Sequence, residues 1–328
     1  MTCAAASAEL GEAVAATAAV ARTWLLVEQP GPWGAKALTS SRLDPVLGRA
    51  LEDAAKGTGV RLGLIRRPGR HADTGQPAMR RVIVAHTAPD DPWVRTAEVE
   101  DPAGLAALDL AALGAGDHLG FGSAYEGPPI ALVCTNGTRD RCCAVAGRPL
   151  AEALAASAGH EVWETTHLGG HRFAPTMLVL PHGYAYGRLD PALAEDVLDA
   201  AAAGLVEDGN CRGRSTWPRA GQAAELAVRN LIGERLAGAL SVEPPEPAPA
   251  VDGNAAANGG PDPRTWSVRV VHADGRAWRA LVAEVPCEPP RPESCGARLG
   301  TPTRMDVIAL ADAAPPGTSG RRDPTLAG

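Results

Sequence analysis

Ile130-Ala-Leu-Val-Cys134, Thr135-Asn-Gly-Thr-Arg-Asp-Arg-Cys-Cys143 and, after a helix-length interval, Glu161-Val-Trp-Glu-Thr165 form the stretch on which the fold turns. A short apolar run ended by polar turn formers reads as a strand buried on both faces. The spacing over 143–158 predicts a helix and that over 161–165 a second strand, so the stretch makes a βαβ unit. Pro149 is expected to kink or break this helix near Gly147. Strands at 177–180 and 184–189 should then pair as a hairpin across Pro181-His-Gly183, and Asp190-Pro191 should cap a following helix.

Outward toward the N-terminus the same order recurs. Thr23-Trp-Leu-Leu-Val-Glu28 reads as a buried strand. The segment 44–56 reads as a helix with Asp44 as N-cap, Pro45 at its first position and Gly57 beyond its end. Strands are expected over 60–65, 81–85 and 94–99, and the Ala-rich start suits a loose helix. Toward the C-terminus, Leu226, Leu231, Ile232, Leu236 and Leu240 are spaced for an amphipathic helix over 219–240. Trp266, Val268 and Val270 alternate toward Asp274-Gly275 while Trp278, Ala280 and Val282 alternate away, the signature of a hairpin. The fold class is α/β, a thioredoxin-like unit at 126–243 preceded by a unit of similar order at 1–125. A Pro/Ala/Asn/Gly-rich linker at 244–263, a small hairpin region at 264–312 and a disordered tail at 313–328 complete the expectation.

Bulk properties narrow the function classes. With 328 residues and 45% apolar content the chain can fill a sizeable core. Seven cysteines are scattered along it, and its start has no basic segment and carries Glu9 and Glu12. That predicts a cytoplasmic protein without a secretory signal, in which clustered thiols mean metal or redox chemistry. No long uninterrupted apolar window exists, so no membrane span is expected. The net charge of −7, with no basic block interleaved with aromatics, argues against a nucleic-acid partner.

Chemistry concentrates in two short-range pairs. Cys134 ends the first strand of the central unit and Cys142-Cys143 open its helix, where the helix N-terminus stabilises a thiolate. His167 and His171 flank Gly169-Gly170, a pair that disfavours helix and suits a loop of close backbone approach. Two thiols and two imidazoles suit a soft or borderline metal. Adjacent cysteines point to one small centre with difficulty, so one of Cys142 and Cys143 ligates and the other packs as a small apolar group. Cys3, Cys211, Cys287 and Cys295 lack nearby histidines and read as ordinary thiols. Arg139, Arg141 and Arg172 lie close in sequence to the site.

Further motifs carry a resemblance. Val133-Cys-Thr-Asn-Gly-Thr-Arg-Asp-Arg-Cys-Cys143 with Gly147-Arg-Pro149, Trp163-Glu-Thr-Thr-His-Leu-Gly-Gly-His-Arg-Phe-Ala174, Leu178-Val-Leu-Pro-His-Gly-Tyr-Ala-Tyr-Gly-Arg188, Arg212-Gly-Arg-Ser215 and Trp24-Leu-Leu-Val-Glu-Gln-Pro-Gly-Pro-Trp-Gly34 together resemble the sucrase/ferredoxin-like proteins, a branch of the thioredoxin-like ferredoxins. The resemblance covers residues 1 to about 240 and implies a two-iron, two-sulfur cluster (2Fe-2S) held by Cys134, Cys143, His167 and His171, with Cys142 left out. It implies an electron carrier with a redox partner protein. Replacing two of four thiolates by neutral imidazoles raises the oxidised net charge from about −2 to about zero, which favours reduction, and the free imidazole nitrogens couple it to proton uptake. The word sucrase implies no chemistry here, because no paired carboxylates are set for glycoside hydrolysis. Two other readings stand beside the cluster: structural zinc on the same Cys2His2 set, and a thiol-disulfide enzyme using Cys142 and Cys143, which strain between adjacent cysteines and the lack of Cys-x-x-Cys disfavour.

Overall fold

The computed structural model describes residues 2–69, 78–157, 159–249 and 264–314. An N-terminal helix α1 (Cys3–Glu9) precedes β1 (Thr23–Glu28), the short α2 (Ala37–Ser40), α3 (Pro45–Ala55), β2 (Val60–Arg66), β3 (Arg80–His86), β4 (Trp93–Val99), α4 (Leu110–Ala115) and the two-residue β5 (Ser123–Ala124). The order then repeats as β6 (Ile130–Cys134), α5 (Arg141–Ala156), β7 (Glu161–Thr165), β8 (Thr176–Leu180), β9 (Tyr184–Gly187), α6 (Pro191–Ala202) and β10 (Cys211–Arg214). In both halves the first strand pairs parallel with the second and antiparallel with the third, which pairs antiparallel with the fourth. The mixed α/β class and the repeated order are as the sequence predicts.

What the sequence does not announce is that the halves share one ten-stranded sheet, β10-β9-β8-β6-β7-β2-β1-β3-β4-β5. The joint is an antiparallel pairing of β2 with β7, Ile65 opposite Thr165 and Arg66 opposite Glu164. Across it Arg66 Nη2 meets Glu164 Oε2 at 2.6 Å, both side chains nearly fully buried, and the Thr135 hydroxyl donates to the same oxygen at 2.8 Å. Strand alternation explains the layers. In β6, Ile130, Leu132 and Cys134 enter a cluster that also holds Trp24, Leu26 and Ile83 of the first half, while Ala131 and Val133 face α5 and α6 residues on the other side. Cys134 therefore ends a strand inside the apolar layer common to both halves.

Helix ends follow the caps. Asp44, Asp140 and Asp190 each accept a backbone N–H of the first turn of α3, α5 and α6. α5 runs unbroken from Arg141 to Ala156 with Pro149 inside it, so the expected break at Gly147 is absent. Gly147 serves close packing instead: a Cβ there would lie 2.2 Å from the carbonyl oxygen of Cys134. The last predicted helix is shorter than its leucine spacing suggests. α7 (Arg219–Ile232) stops where Gly233 turns left-handed at φ 66°, leaving Leu231 and Leu236 exposed and Leu240 free to start a strand.

That strand, β11 (Leu240–Val242), joins β12 (Glu246–Ala248), β13 (Thr265–His272), β14 (Ala277–Pro286) and, beyond the pair β15 (Arg291–Pro292) and β16 (Leu299–Gly300), β17 (Thr303–Ala313). The predicted hairpin, β13 with β14, is thus the middle of a five-stranded sheet. β17 has little period-2 burial to reveal it. Val268, Val270, Trp278, Ala280 and Val282 pack against Ala220, Ala223 and Val228 of α7. The expected linker begins inside this sheet, as β12; the rest of it, 250–263, and nearly all of the expected tail lie outside the described residues. Among the described residues no helix is long and apolar enough to cross a membrane.

Candidate metal centre

Cys134 sits at the C-terminal end of β6, Cys143 in the first turn of α5, and His167 and His171 on the loop that follows β7. Gly147 brings the second of these elements onto the first, because without a side chain the helix can rest on the Cys134 carbonyl. The histidine loop turns through Gly169 and Gly170, both left-handed (φ 85° and 70°), into a single 3-10 turn over His171–Phe173. A Cβ on Gly170 would lie 2.1 Å from Arg212 Nη2, so the loop is pressed onto that guanidinium.

The donor atoms of Cys134, Cys143 and His167 lie within 4.8 Å of one another. His171 lies beside them, its ring centroid 4.8 Å from that of His167. Both thiols are buried, whereas both imidazoles are partly exposed. Nδ1 of each histidine is buried without a hydrogen-bond partner. A buried polar atom left unpaired costs about 1–3 kcal/mol, and two of them beside two thiols are the donors a soft or borderline ion takes up. The residues present therefore fit a metal or cluster.

Electrostatics agree. The hydrogen bond from the Cys143 thiol outweighs burial and, with the His167 imidazole and the Leu168 N–H, takes Cys134 well below the range of a free thiol. The bond to Cys134 and burial push Cys143 up. Burial, and then the charge of His167, lower His171, which favours the neutral imidazole with one nitrogen free to ligate. His171 Nε2 lies 3.7 Å from Asp140 Oδ2.

The arginines close in sequence to the site do not supply its nearest positive charge. Arg139 and Arg141 are exposed, and Arg172 is spent in ion pairs with Glu12 (2.8 Å) and Glu293 (3.1 Å). The cations whose charge reaches the Cys134 thiolate from within include Arg61 and Arg212. Arg61 donates to the His167 carbonyl at 3.3 Å. Arg212, almost fully buried, donates to the Gly169 carbonyl (3.0 Å), the Thr17 hydroxyl (3.0 Å) and the Thr17 carbonyl. Burial lowers its pKa to about 10, still charged at neutral pH. The Arg212-Gly-Arg-Ser215 motif was a signal for Arg212, but nothing in the alternation of β2 marks Arg61. Arg214 and Ser215 of the same motif tie the halves together, Arg214 through the Thr87 and Ala237 carbonyls and Ser215 through Trp24 Nε1.

Cys142 turns away from this centre. Its Sγ lies 3.4 Å from Cys3 Sγ and 3.0 Å from Cys295 Sγ, so Cys3 and Cys295 are not the isolated thiols their sequence setting suggests.

Residues 14–213 match the sequence profile of a family described as sucrase/ferredoxin-like. The chain belongs to the sucrase/ferredoxin-like family. No curated protein and no solved structure matches it. The matched segment contains Cys134, Cys143, His167 and His171, whereas Cys3 and Cys295 fall outside it.

Proposed function

We propose that this protein is an electron carrier whose 2Fe-2S cluster is held by Cys134, Cys143, His167 and His171. The observation that carries the reading is that Cys134, Cys143 and His167 bring donor atoms within 4.8 Å of one another with the His171 ring beside that of His167, both imidazole Nδ1 atoms being unpartnered. When bound, such a group supplies a one-electron couple. The chain's part is to tune and protect it. Cys134 and Cys143 keep the thiolate side inside the apolar layer, away from water. Arg61 and Arg212 place positive charge where added negative charge would gather, which raises the potential. The partly exposed histidine side is the face toward solvent and toward a redox partner protein. A proton taken up at His171 Nε2 is held by the Asp140 carboxylate 3.7 Å away, so electron and proton uptake are linked there.

A single zinc ion is the second reading, favoured by three donor atoms lying within 4.8 Å, a span one tetrahedral ion accommodates. Buried Arg212 and half-buried Arg61 beside the thiolate favour the electron carrier, since a cluster gains negative charge on reduction whereas zinc with two thiolates and two imidazoles stays neutral. The test is purification without oxygen, followed by a visible spectrum and iron, sulfide and zinc analysis, on the parent chain and on His167→Ala and Cys143→Ala. Visible absorbance with about two irons and two sulfides per chain, lost in both variants, is expected. A colourless chain without sulfide refutes the cluster.

A further inference from the structure

We infer that Cys3, Cys142, Cys295 and Asp140 form a second site, which binds one thiophilic divalent cation, zinc foremost. The inference does not depend on what occupies the histidine site. Three parts of the chain meet here: the first residue of α1, the first turn of α5 with its cap, and the loop between β15 and β16. The three sulfurs lie 3.0, 3.4 and 3.6 Å apart, and the Asp140 oxygens are 3.8 and 3.9 Å from Cys3 Sγ. A tetrahedral zinc with Zn–S near 2.3 Å and Zn–O near 2.1 Å sets its donors about 3.6–3.8 Å apart. The two wider sulfur pairs need separate by only a few tenths of an ångström to take it, and the closest, Cys142 with Cys295, by about 0.8 Å. All three are free thiols, and at these distances they form no disulfide.

The setting of Asp140 gives a second argument. Asp140 is buried and accepts from uncharged donors, the Cys142 N–H (3.1 Å), the Cys295 N–H (2.9 Å) and the Ser294 hydroxyl (2.8 Å), with His171 Nε2 farther off at 3.7 Å. A buried carboxylate beside three packed thiols and without a close guanidinium or ammonium is a four-donor set for one divalent ion, which compensates part of its charge while displacing the thiol protons to solvent. The N–H and hydroxyl bonds then orient the carboxylate from behind, as ligand-supporting contacts do. A disulfide would use two of the sulfurs and strand the third; a single ion uses all of them. Soft thiolates with one carboxylate select zinc over magnesium or calcium. Sulfurs this close also suit one ion better than a polynuclear cluster.

The site's work is to fasten. It ties the N-terminal helix and the C-terminal sheet to the helix that carries Cys143, and two of its four ligands come from outside the family-matched segment. Beside it, the Glu12 ion pairs with Arg172 and Arg291 join the N-terminal segment to the histidine loop and to β15.

The test uses the full chain. Residual metal is stripped with a chelator under reducing conditions and zinc or cobalt(II) is added back to the parent, to Cys295→Ser, to Cys3→Ser and to Cys134→Ser/His167→Ala. The double variant removes the histidine site, so it should still bind one zinc and show the intense sulfur-to-cobalt absorption of a thiolate site. Cys295→Ser and Cys3→Ser should each bind one ion fewer than the parent and leave the histidine site's own metal content and spectrum intact. Mass-spectrometric alkylation of the parent, which does not rely on any variant folding, should find Cys3, Cys142 and Cys295 protected by zinc and reactive after chelation. Equal metal content in Cys295→Ser and parent, no zinc in the double variant, or a Cys142–Cys295 disulfide in the chain as purified would each overturn the inference.

Discussion

Replacing Gly147 by alanine sets two opposite effects against each other in one residue. Gly147 lies inside α5, and in an exposed helix alanine is favoured over glycine by about 1 kcal/mol. Here the new Cβ would stand 2.2 Å from the Cys134 carbonyl oxygen, against an ordinary contact of 3.4–4 Å. The missing space is roughly 1 Å, and neither the strand backbone nor the helix can yield it by rotating a side chain. Overpacking of this kind costs about 1–3 kcal/mol, so the net effect is a loss of up to about 2 kcal/mol rather than a gain. At roughly 2–4 °C per kcal/mol, Tm falls by several degrees. The site pays more than the fold does: Cys143 rides on the displaced first turn, and metal retention should drop more than stability. Thermal unfolding and metal content report the two effects separately. Gly104→Ala, with no atom within 4 Å of its new Cβ, is the neutral control. A Gly147→Ala chain with raised Tm and full metal content would refute the argument that this glycine seats the helix against the strand.

Arg212→Ala leaves the Thr17 and Gly169 carbonyls without their donor and opens a buried hole, so a loss of about 2–4 kcal/mol and weaker metal retention at His167 and His171 are expected; Arg212→Lys should rescue neither, since an ammonium lacks the planar fork. Denaturant unfolding and metal analysis read both. Glu164→Gln removes the charge facing buried Arg66 at the β2–β7 joint and should cost about 3–5 kcal/mol, whereas the double replacement Arg66→Met/Glu164→Leu should cost much less; equal losses would mean that the joint does not depend on the pair. Although burial raises the Glu12 carboxyl, the hydrogen bond from Arg291 and the charge of Arg172 outweigh it and hold the carboxyl below its usual range. A depressed folded pKa gives stability that is complete above about pH 4.3 and is lost as pH falls through the folded value. The Tm difference between the parent and Glu12→Gln should therefore be constant from pH 7 to 5 and shrink below about pH 4; a difference unchanged by acid would rule out the ion pairs as its source.

Local chemistry carried much of the fold. β1, β6 and β7 end at the residues their apolar runs predict, and the caps Asp44 and Asp190 mark helix starts, because strand burial and capping are decided within a few residues of chain; α5 starts two residues before its predicted bound, capped by Asp140. The leucine periodicity after Arg219 misled at its end, where the left-handed turn at Gly233 and the demand of β13 for a neighbour outweighed helical spacing. β17 was missed because a strand with one face open and little alternation has no local mark.

The candidate site divides along the same line. Sequence alone placed the candidate donors Cys134, Cys142 or Cys143, His167 and His171 on a strand end, a helix start and a Gly-Gly loop, since each pair is close along the chain and each setting is local; the choice of Cys143 came from the family resemblance. Only the tertiary structure decided which cations lie beside them, and that Cys142 belongs with Cys3 and Cys295, 139 and 153 residues away. No spacing rule reaches that far, because contacts between distant segments are fixed by how the sheet and its two ends pack.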